Sequence, residues 1–300
     1  LEHDNSQFYA AASLARLNKD LFDSKQAILK VYNDCSDEDT RFQLAQILGK
    51  MLLKNENAFI PMFEQEKSEL VRIGFINGNS RVDSLISLKL LRLALKDGNP
   101  HVRSKAAEVL LKLNGIPDDL EVLKLAEAEP NALTKYLLFE AALKFSGSVD
   151  RQIRISEQLA LELNKTKDEY IIGFILKALC AWEANLPLVE NYSFKSSSIL
   201  VRGAGVGALL ASYQRNNQGN SAELRALLHR GLMTKDVAVA AMCAEAMIDS
   251  DYYRSTDVQE DLAILESVLA SMRLPRDMET YGSILKAMRS LQKRPVSGSL

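Results

Sequence analysis

The 300-residue chain is poor in the residues that usually carry chemistry, with three cysteines, three histidines and one tryptophan. Cys35, Cys180 and Cys243 lie far apart, which argues against a disulfide framework. Neither they nor His3, His101 and His229 have the clustering a zinc site needs, so no metal and no cofactor is expected. No apolar run approaches the ~18–20 residues of a membrane span. The opening Leu1-Glu2-His3-Asp4 also lacks the basic-then-apolar profile of a signal peptide, so the sequence as given is expected to be soluble. Scarce cysteine suits the cytoplasm and a bacterial periplasm alike. An excess of one charge is missing too: 37 Lys and Arg face 39 Asp and Glu, unlike the balance of a dedicated nucleic-acid binder. Phosphate loops, paired-histidine zinc helices and serine-nucleophile elbows are absent from the sequence. Gly203-Ala204-Gly205-Val206-Gly207 has a superficial likeness to a phosphate-binding turn, but it follows no strand, and its glycines read as packing residues inside a helix. Carboxylate pairs such as Asp118/Asp119 and Asp37/Glu38/Asp39 sit at helix starts, where the macrodipole already favours negative charge.

What the chain does have is 47% hydrophobic residues and a repeating frame. The frame opens on a residue whose side-chain oxygen can cap a helix, at Asp4, Asp37, Ser68, Asn99, Asn131, Asp168, Ser198, Asp236 and Asp277. Seven, eight and eleven residues after each cap come slots on one helical face. They read Ala11/Ala12/Ala15, Leu44/Ala45/Leu48, Phe75/Ile76/Asn79, Ala106/Ala107/Leu110 and Leu138/Phe139/Ala142. The later ones are Ile175/Leu176/Leu179, Gly205/Val206/Leu209, Cys243/Ala244/Met247 and Ile284/Leu285/Met288. Asn79 breaks the pattern, where the helix is expected to stop at Gly78. Between caps there is room for a turn and one partner helix, near 19–33, 56–67, 80–97, 118–128, 149–165, 187–193, 221–232 and 257–271. No segment reads as a strand. Residues 145–150 and 184–197 read as loop insertions within one array, so residues 1–300 are expected to form a single all-α domain.

The segment Asn99-Pro100-His101-Val102-Arg103, with Ala106-Ala107 and Leu110, resembles the second helix of a HEAT repeat. Ser198 through Leu210, with Val201-Arg202, is similar. That family carries a basic residue after the first apolar position, matched here by Arg41, Arg72, Arg103, Lys135 and Arg202. Ile172, Ala240 and Tyr281 depart from it. The resemblance covers nearly the whole chain and implies an α-solenoid of about eight to nine HEAT-like helix pairs, with a polar ladder that lapses in the C-terminal half. A second resemblance runs from Asp236 through Met247, Leu262–Leu269 and Leu274–Tyr281. It looks like the terminal repeats of helical segments joined to bacterial cyclophilin-type peptidyl-prolyl isomerases. It implies an accessory region, with no catalytic residue to carry over.

Positions 6, 9 and 13 after each cap are expected to line the concave face of such a solenoid. They read Gln43/Gln46/Lys50, Gly74/Asn77/Arg81, Lys105/Glu108/Lys112 and Leu137/Glu140/Lys144. The stripe then changes to Phe174/Lys177/Ala181, Ala204/Gly207/Ala211 and Met242/Glu245/Asp249. Phe174, Ala204, Gly207, Ala211 and Met242 form a candidate groove for an extended peptide or partner helix, with Lys105, Lys112 and Lys144 steering acidic segments toward it. The alternative is that the 184–197 loop, with Tyr192 and Phe194, folds over this groove. Trp182 falls fourteen residues after its cap and is expected in the core. The leading expectation is a non-catalytic protein-binding scaffold without nucleic-acid partners. The competing one is a helical-repeat DNA glycosylase type of enzyme, for which the stripe's lysines would have to dominate Glu108, Glu140, Glu245 and Asp249.

Overall fold

The structure is a computed structural model that describes residues 22–51, 56–78, 85–113, 119–216, 221–234, 236–248, 257–272 and 277–293. These residues form sixteen α-helices, with no strand among the described residues. None of the helices is long and apolar enough to cross a membrane. The chain divides into two compact units, Leu1–Val149 and Asp150–Leu300. The first holds α1 (Phe22–Asp34), α2 (Glu38–Met51), α3 (Glu56–Gln65), α4 (Glu69–Gly78), α5 (Leu85–Ala94), α6 (Pro100–Lys112), α7 (Asp119–Ala128) and α8 (Ala132–Phe145). The second holds α9 (Val149–Lys165, all but its first residue), α10 (Glu169–Leu179), α11 (Leu186–Lys195), α12 (Ile199–Arg215), α13 (Ala222–Leu232), α14 (Val237–Ile248), α15 (Val258–Ser271) and α16 (Met278–Gln292).

Hydrogen bonding sets the helix starts. Asp37, Ser68, Asn99, Asn131, Asp168, Ser198 and Asp236 each accept a first-turn N–H through the side chain, at 2.8–3.3 Å. The bond from Thr40 holds the Asp37 carboxyl below its ordinary range. Asp4 lies outside the described residues. Asp277 makes no side-chain cap. The last helix explains why: it buries Thr280, Ser283, Ile284, Ala287 and Leu291, while the expected slots Leu285 and Met288 are only half-buried. That face fits a frame beginning one residue earlier, so the expected register is corrected there.

Elsewhere the slots behave as the pattern predicts. Leu44, Ala45, Leu48, Ala106, Ala107, Leu110, Leu138, Phe139 and Ala142 are buried, as are Ile175, Leu176, Leu179, Cys243, Ala244 and Met247. They are buried because each capped helix packs on the next: α2 on α4, α4 on α6 and α6 on α8 in the first unit, α10 on α12, α12 on α14 and α14 on α16 in the second. The intervening helices form a second layer, α5 and α7 against α6 and α8, and α11, α13 and α15 against α12, α14 and α16. Gly78 ends α4, as expected, and has a steric reason to be glycine. A Cβ there would stand 2.5 Å from the Gln46 carbonyl oxygen of α2. The α4 slot residue Asn79 and the Ala11/Ala12/Ala15 set lie outside the described residues.

A polar seam accompanies this packing. Glu66, Asp97 and Glu129, each two residues before a cap, accept that cap residue's own N–H at 2.8, 2.8 and 2.9 Å. The arginine four residues after the preceding cap then reaches the same carboxylate: Arg41 to Glu66, Arg72 to Asp97 at 2.8 Å, and Arg103 to Glu129 at 2.7 Å. Arg72 and Arg103 also donate to carbonyls of their own turn, Arg72 to Glu66 and Lys67, Arg103 to Asp97 and Gly98. Burial alone would raise the Glu129 carboxyl, but hydrogen bonds from Arg103 and the Asn131 N–H hold it below the ordinary carboxylate range. Tyr32 adds its hydroxyl to Glu66 at 2.5 Å, and burial followed by this bond raises the phenol's pKa.

In the second unit the residue two before the cap is Thr166, Ser196 or Thr234, which still accepts the cap N–H at 3.2 Å but carries no charge. The matching arginine is replaced by Ile172 and Ala240, both buried, and Arg202 pairs with the cap residue Asp236 instead, at 2.9 Å. Leu110→Ala is expected to cost about 2–5 kcal/mol. Asn99→Ala should cost about 1 kcal/mol. Urea denaturation reads both, and unchanged midpoints would mean that the frame is misplaced.

Candidate partner-binding face

The expected groove residues fall on three consecutively packed helices of the second unit: Phe174 on α10, Ala204, Gly207 and Ala211 on α12, and Met242 on α14. Ala204 and Ala211 are exposed, and Phe174, Gly207 and Met242 are half-buried. The small residues have a packing role as well. A Cβ on Gly173 would meet Ala204 Cβ at 3.2 Å, and one on Gly207 would meet Met242 Cε at 3.0 Å. This face is therefore shallow, because the helices beneath it approach closely. Lys177 and Glu245, on α10 and α14, are its exposed charges among the predicted stripe positions.

The lysines expected to steer acidic segments lie in the first unit. Lys105 pairs with Glu108 at 2.9 Å, one turn on along α6. Lys144 donates to the Leu111 carbonyl at 2.7 Å and covers the Phe145 ring at 4.6 Å. Both are thus engaged in local contacts, while Lys112 is exposed. Other stripe positions are corrected outright. Gly74, Leu137 and Glu140 are buried rather than solvated. At Gly74 the cause is the close approach of α2, where a Cβ would stand 2.7 Å from the Phe42 carbonyl oxygen. At Leu137 and Glu140 it is that α8 is buried on every side from Tyr136 to Leu143. Arg81 and Asp249 lie outside the described residues.

The segment 184–197 is not a loop insertion: the partner helix expected near 187–193 forms there and is longer than expected. A 3-10 turn, Glu183–Asn185, leads into α11, with Pro187 in its first turn, where a missing N–H costs least. α11 packs against α12 on the side of Gly205, leaving Ala204 and Ala211 uncovered. A Cβ at Gly205 would stand 1.8 Å from Ser193 Oγ, itself held by donation to the Val189 carbonyl at 2.7 Å. Tyr192 and Phe194 are half-buried, and the Arg230 guanidinium stacks over the Phe194 ring at 4.2 Å while pairing with Glu190 at 2.8 Å. Trp182 is half-buried, so its expected core placement is only partial.

No family model, curated protein or solved structure matches the chain. The face must be read from its own chemistry. Among the described residues no group of three or more His, Cys, Asp or Glu is arranged to hold a metal ion. Cys243 is packed between helices, and burial pushes its thiol up to about 12, far from a nucleophile's range. Sequence reasoning missed one polar cluster: Arg225 and His229 of α13 both grip the fully buried Asp261 of α15, at 3.0 and 2.6 Å. An Arg–His pair four residues apart on one helix face was the available signal.

The two neighbouring glycines of α12 separate the covered side from the open one. Gly205→Ala should destabilise by about 1–3 kcal/mol through overpacking against Ser193. Gly207→Ala should be neutral or stabilising by up to about 1 kcal/mol, because helix propensity improves and the Met242 methyl can move aside. Thermal melts of the two variants check this, and a reversed order would mean that α11 covers the other side of α12.

Proposed function

We propose that the chain is a non-catalytic protein-binding scaffold of HEAT-like α-solenoid type, with about eight to nine helix pairs, whose α10–α12–α14 face takes an extended peptide or a partner helix. The observation that carries this reading is the exposure of Ala204 and Ala211 beside half-buried Phe174, Gly207 and Met242, with no helix of the second layer laid across them among the described residues. Capped helices that stack on one another and arginines that bridge to the next turn support the HEAT-like part. An accessory role beside a bacterial cyclophilin-type isomerase rests on the likeness of residues 236–281 and belongs to the same proposal. A DNA glycosylase-like reading draws less support, since Lys105 and Lys144 are already engaged with Glu108 and the Leu111 carbonyl.

A shallow apolar face gains affinity from buried area, about 25 cal/mol per Å² before ordering costs are subtracted. A charge set in its middle removes that gain. Peptides selected from a random display library on the chain should bind with little salt dependence and lose at least about tenfold in affinity on Ala211→Arg, with the melt unchanged. Ala211 is the better probe than Gly207, because it is exposed. Peptides that bind Ala211→Arg equally well, or a preference for duplex DNA that falls steeply with salt, would refute the scaffold reading.

A further inference from the structure

The first turns of the capped helices change character between the two units. In the first unit the residues one and two after the cap include Glu38, Asp39, Glu69, Pro100 and His101, all exposed, with Leu133, 38% exposed, as the large apolar exception. In the second unit the same places hold large apolar side chains that stand out into solvent: Tyr170 is 72% exposed, Ile199 61%, Leu200 54% and Val237 40%, and Met233, just before the last of these turns, is 63%. These turns lie along one edge. Arg202 of α12 reaches Asp236 at the start of α14, while Ser212 near the end of α12 donates to Cys180 at the end of α10, so the three helices run parallel with their N-termini side by side. The packing does not explain the row, because the core slots of these helices point elsewhere and are filled.

The charges along the edge point to an anionic partner. Lys165, Lys167 and Lys195, at the ends of α9 and α11 or in the turns after them, are exposed beside Tyr170, Ile199 and Leu200. Of the nearby carboxylates, Asp236 is neutralised by Arg202, and Asp168, which accepts the Tyr170 and Ile171 N–H groups, stays exposed and charged against the three lysines. Glu169 is exposed there, and Glu279 lies further along on α16. The N-terminal ends of α10, α12 and α14 add positive potential. Large side chains exposed by half or more project as wedges, whereas the large side chains of the peptide face, Phe174 and Met242, are half-buried.

We propose that this edge of the second unit, built from Tyr170, Ile199, Leu200, Met233 and Val237 with Lys165, Lys167 and Lys195, docks on an anionic lipid surface. The aliphatic wedges enter the interfacial region, the Tyr170 ring sits at headgroup level, and the lysines meet the lipid phosphates and carboxylates. The edge is separate from the α10–α12–α14 face, so the two proposals stand or fall independently. Co-sedimentation with vesicles of phosphatidylcholine alone, and of phosphatidylcholine with phosphatidylserine, tests it. The chain should pellet with the anionic vesicles and not the neutral ones. Ile199→Glu with Leu200→Glu should weaken this by about tenfold or more, and so should Lys165→Glu with Lys167→Glu and Lys195→Glu, all with unchanged melts. A chain that stays in the supernatant with both vesicles overturns the proposal, as does equal binding by the variants. Self-association in sedimentation velocity that Leu200→Glu abolishes, without vesicle binding, would assign the edge to a second copy of the chain and overturn it as well.

Discussion

A helix that buries its apolar face on the next helix must start at the right residue, since a shift of one position turns the face by about 100°. In this chain the turns before the helices capped by Ser68, Asn99, Asn131, Asp168, Ser198 and Asp236 supply that constraint. The cap side chain takes a first-turn N–H, and the residue two before it takes the cap's own N–H, so the start is fixed from both sides. Everything further out depends on it, from the burial of Ala106, Ala107 and Leu110 to the direction in which Arg103 leaves its helix. The last helix shows the same rule by its departure, for Asp277 does not cap and the buried face of α16 is displaced by one residue.

The two units solve the turn differently, with electrostatic consequences. In the first, Glu66, Asp97 and Glu129 serve their own turn and also receive an arginine from the preceding helix, which joins the stack through partly buried ion pairs. Removing one partner of such a pair leaves a desolvated charge, which costs more than the intact pair contributes. In the second, Thr166, Ser196 and Thr234 keep the turn without a charge; Arg202 still bridges, but to the cap residue Asp236, while the buried apolar residues Ile172 and Ala240 replace the other two arginines. Relaxing the polar requirement at the helix starts coincides with the appearance of Tyr170, Ile199 and Leu200 in the first turns.

The helical layers were legible in the sequence because their signals are local. Asn99-Pro100 and Ser198 announce helix starts through hydrogen-bonding chemistry, and the slots that follow have the period of a helix. Exposure was less legible, because it depends on how closely a neighbour approaches. Gly74 and Glu140 occupy positions expected to face solvent, and each is buried. Residues 184–197 read as a loop insertion although a short helix is expected near 187–193, and the helix that forms runs further, over Leu186–Lys195, with Pro187 in its first turn. The contact between Gly205 and Ser193 was not legible, because it depends on how closely the helix expected near 187–193 approaches α12.

The bridge between turns is the part of this account most open to measurement. A double-mutant cycle on Arg103 and Glu129, using Arg103→Met, Glu129→Gln and the double variant in urea denaturation, isolates the pair from the packing around it. At neutral pH the account predicts a coupling of about 1–3 kcal/mol, with the double variant less damaged than the two singles imply. Since the Glu129 carboxyl titrates below its ordinary range, this stability is present above that range and disappears as the pH falls through the folded value. Additive losses at neutral pH, or a coupling that persists after the carboxylate is protonated, would contradict an ionic bridge linking one turn to the next.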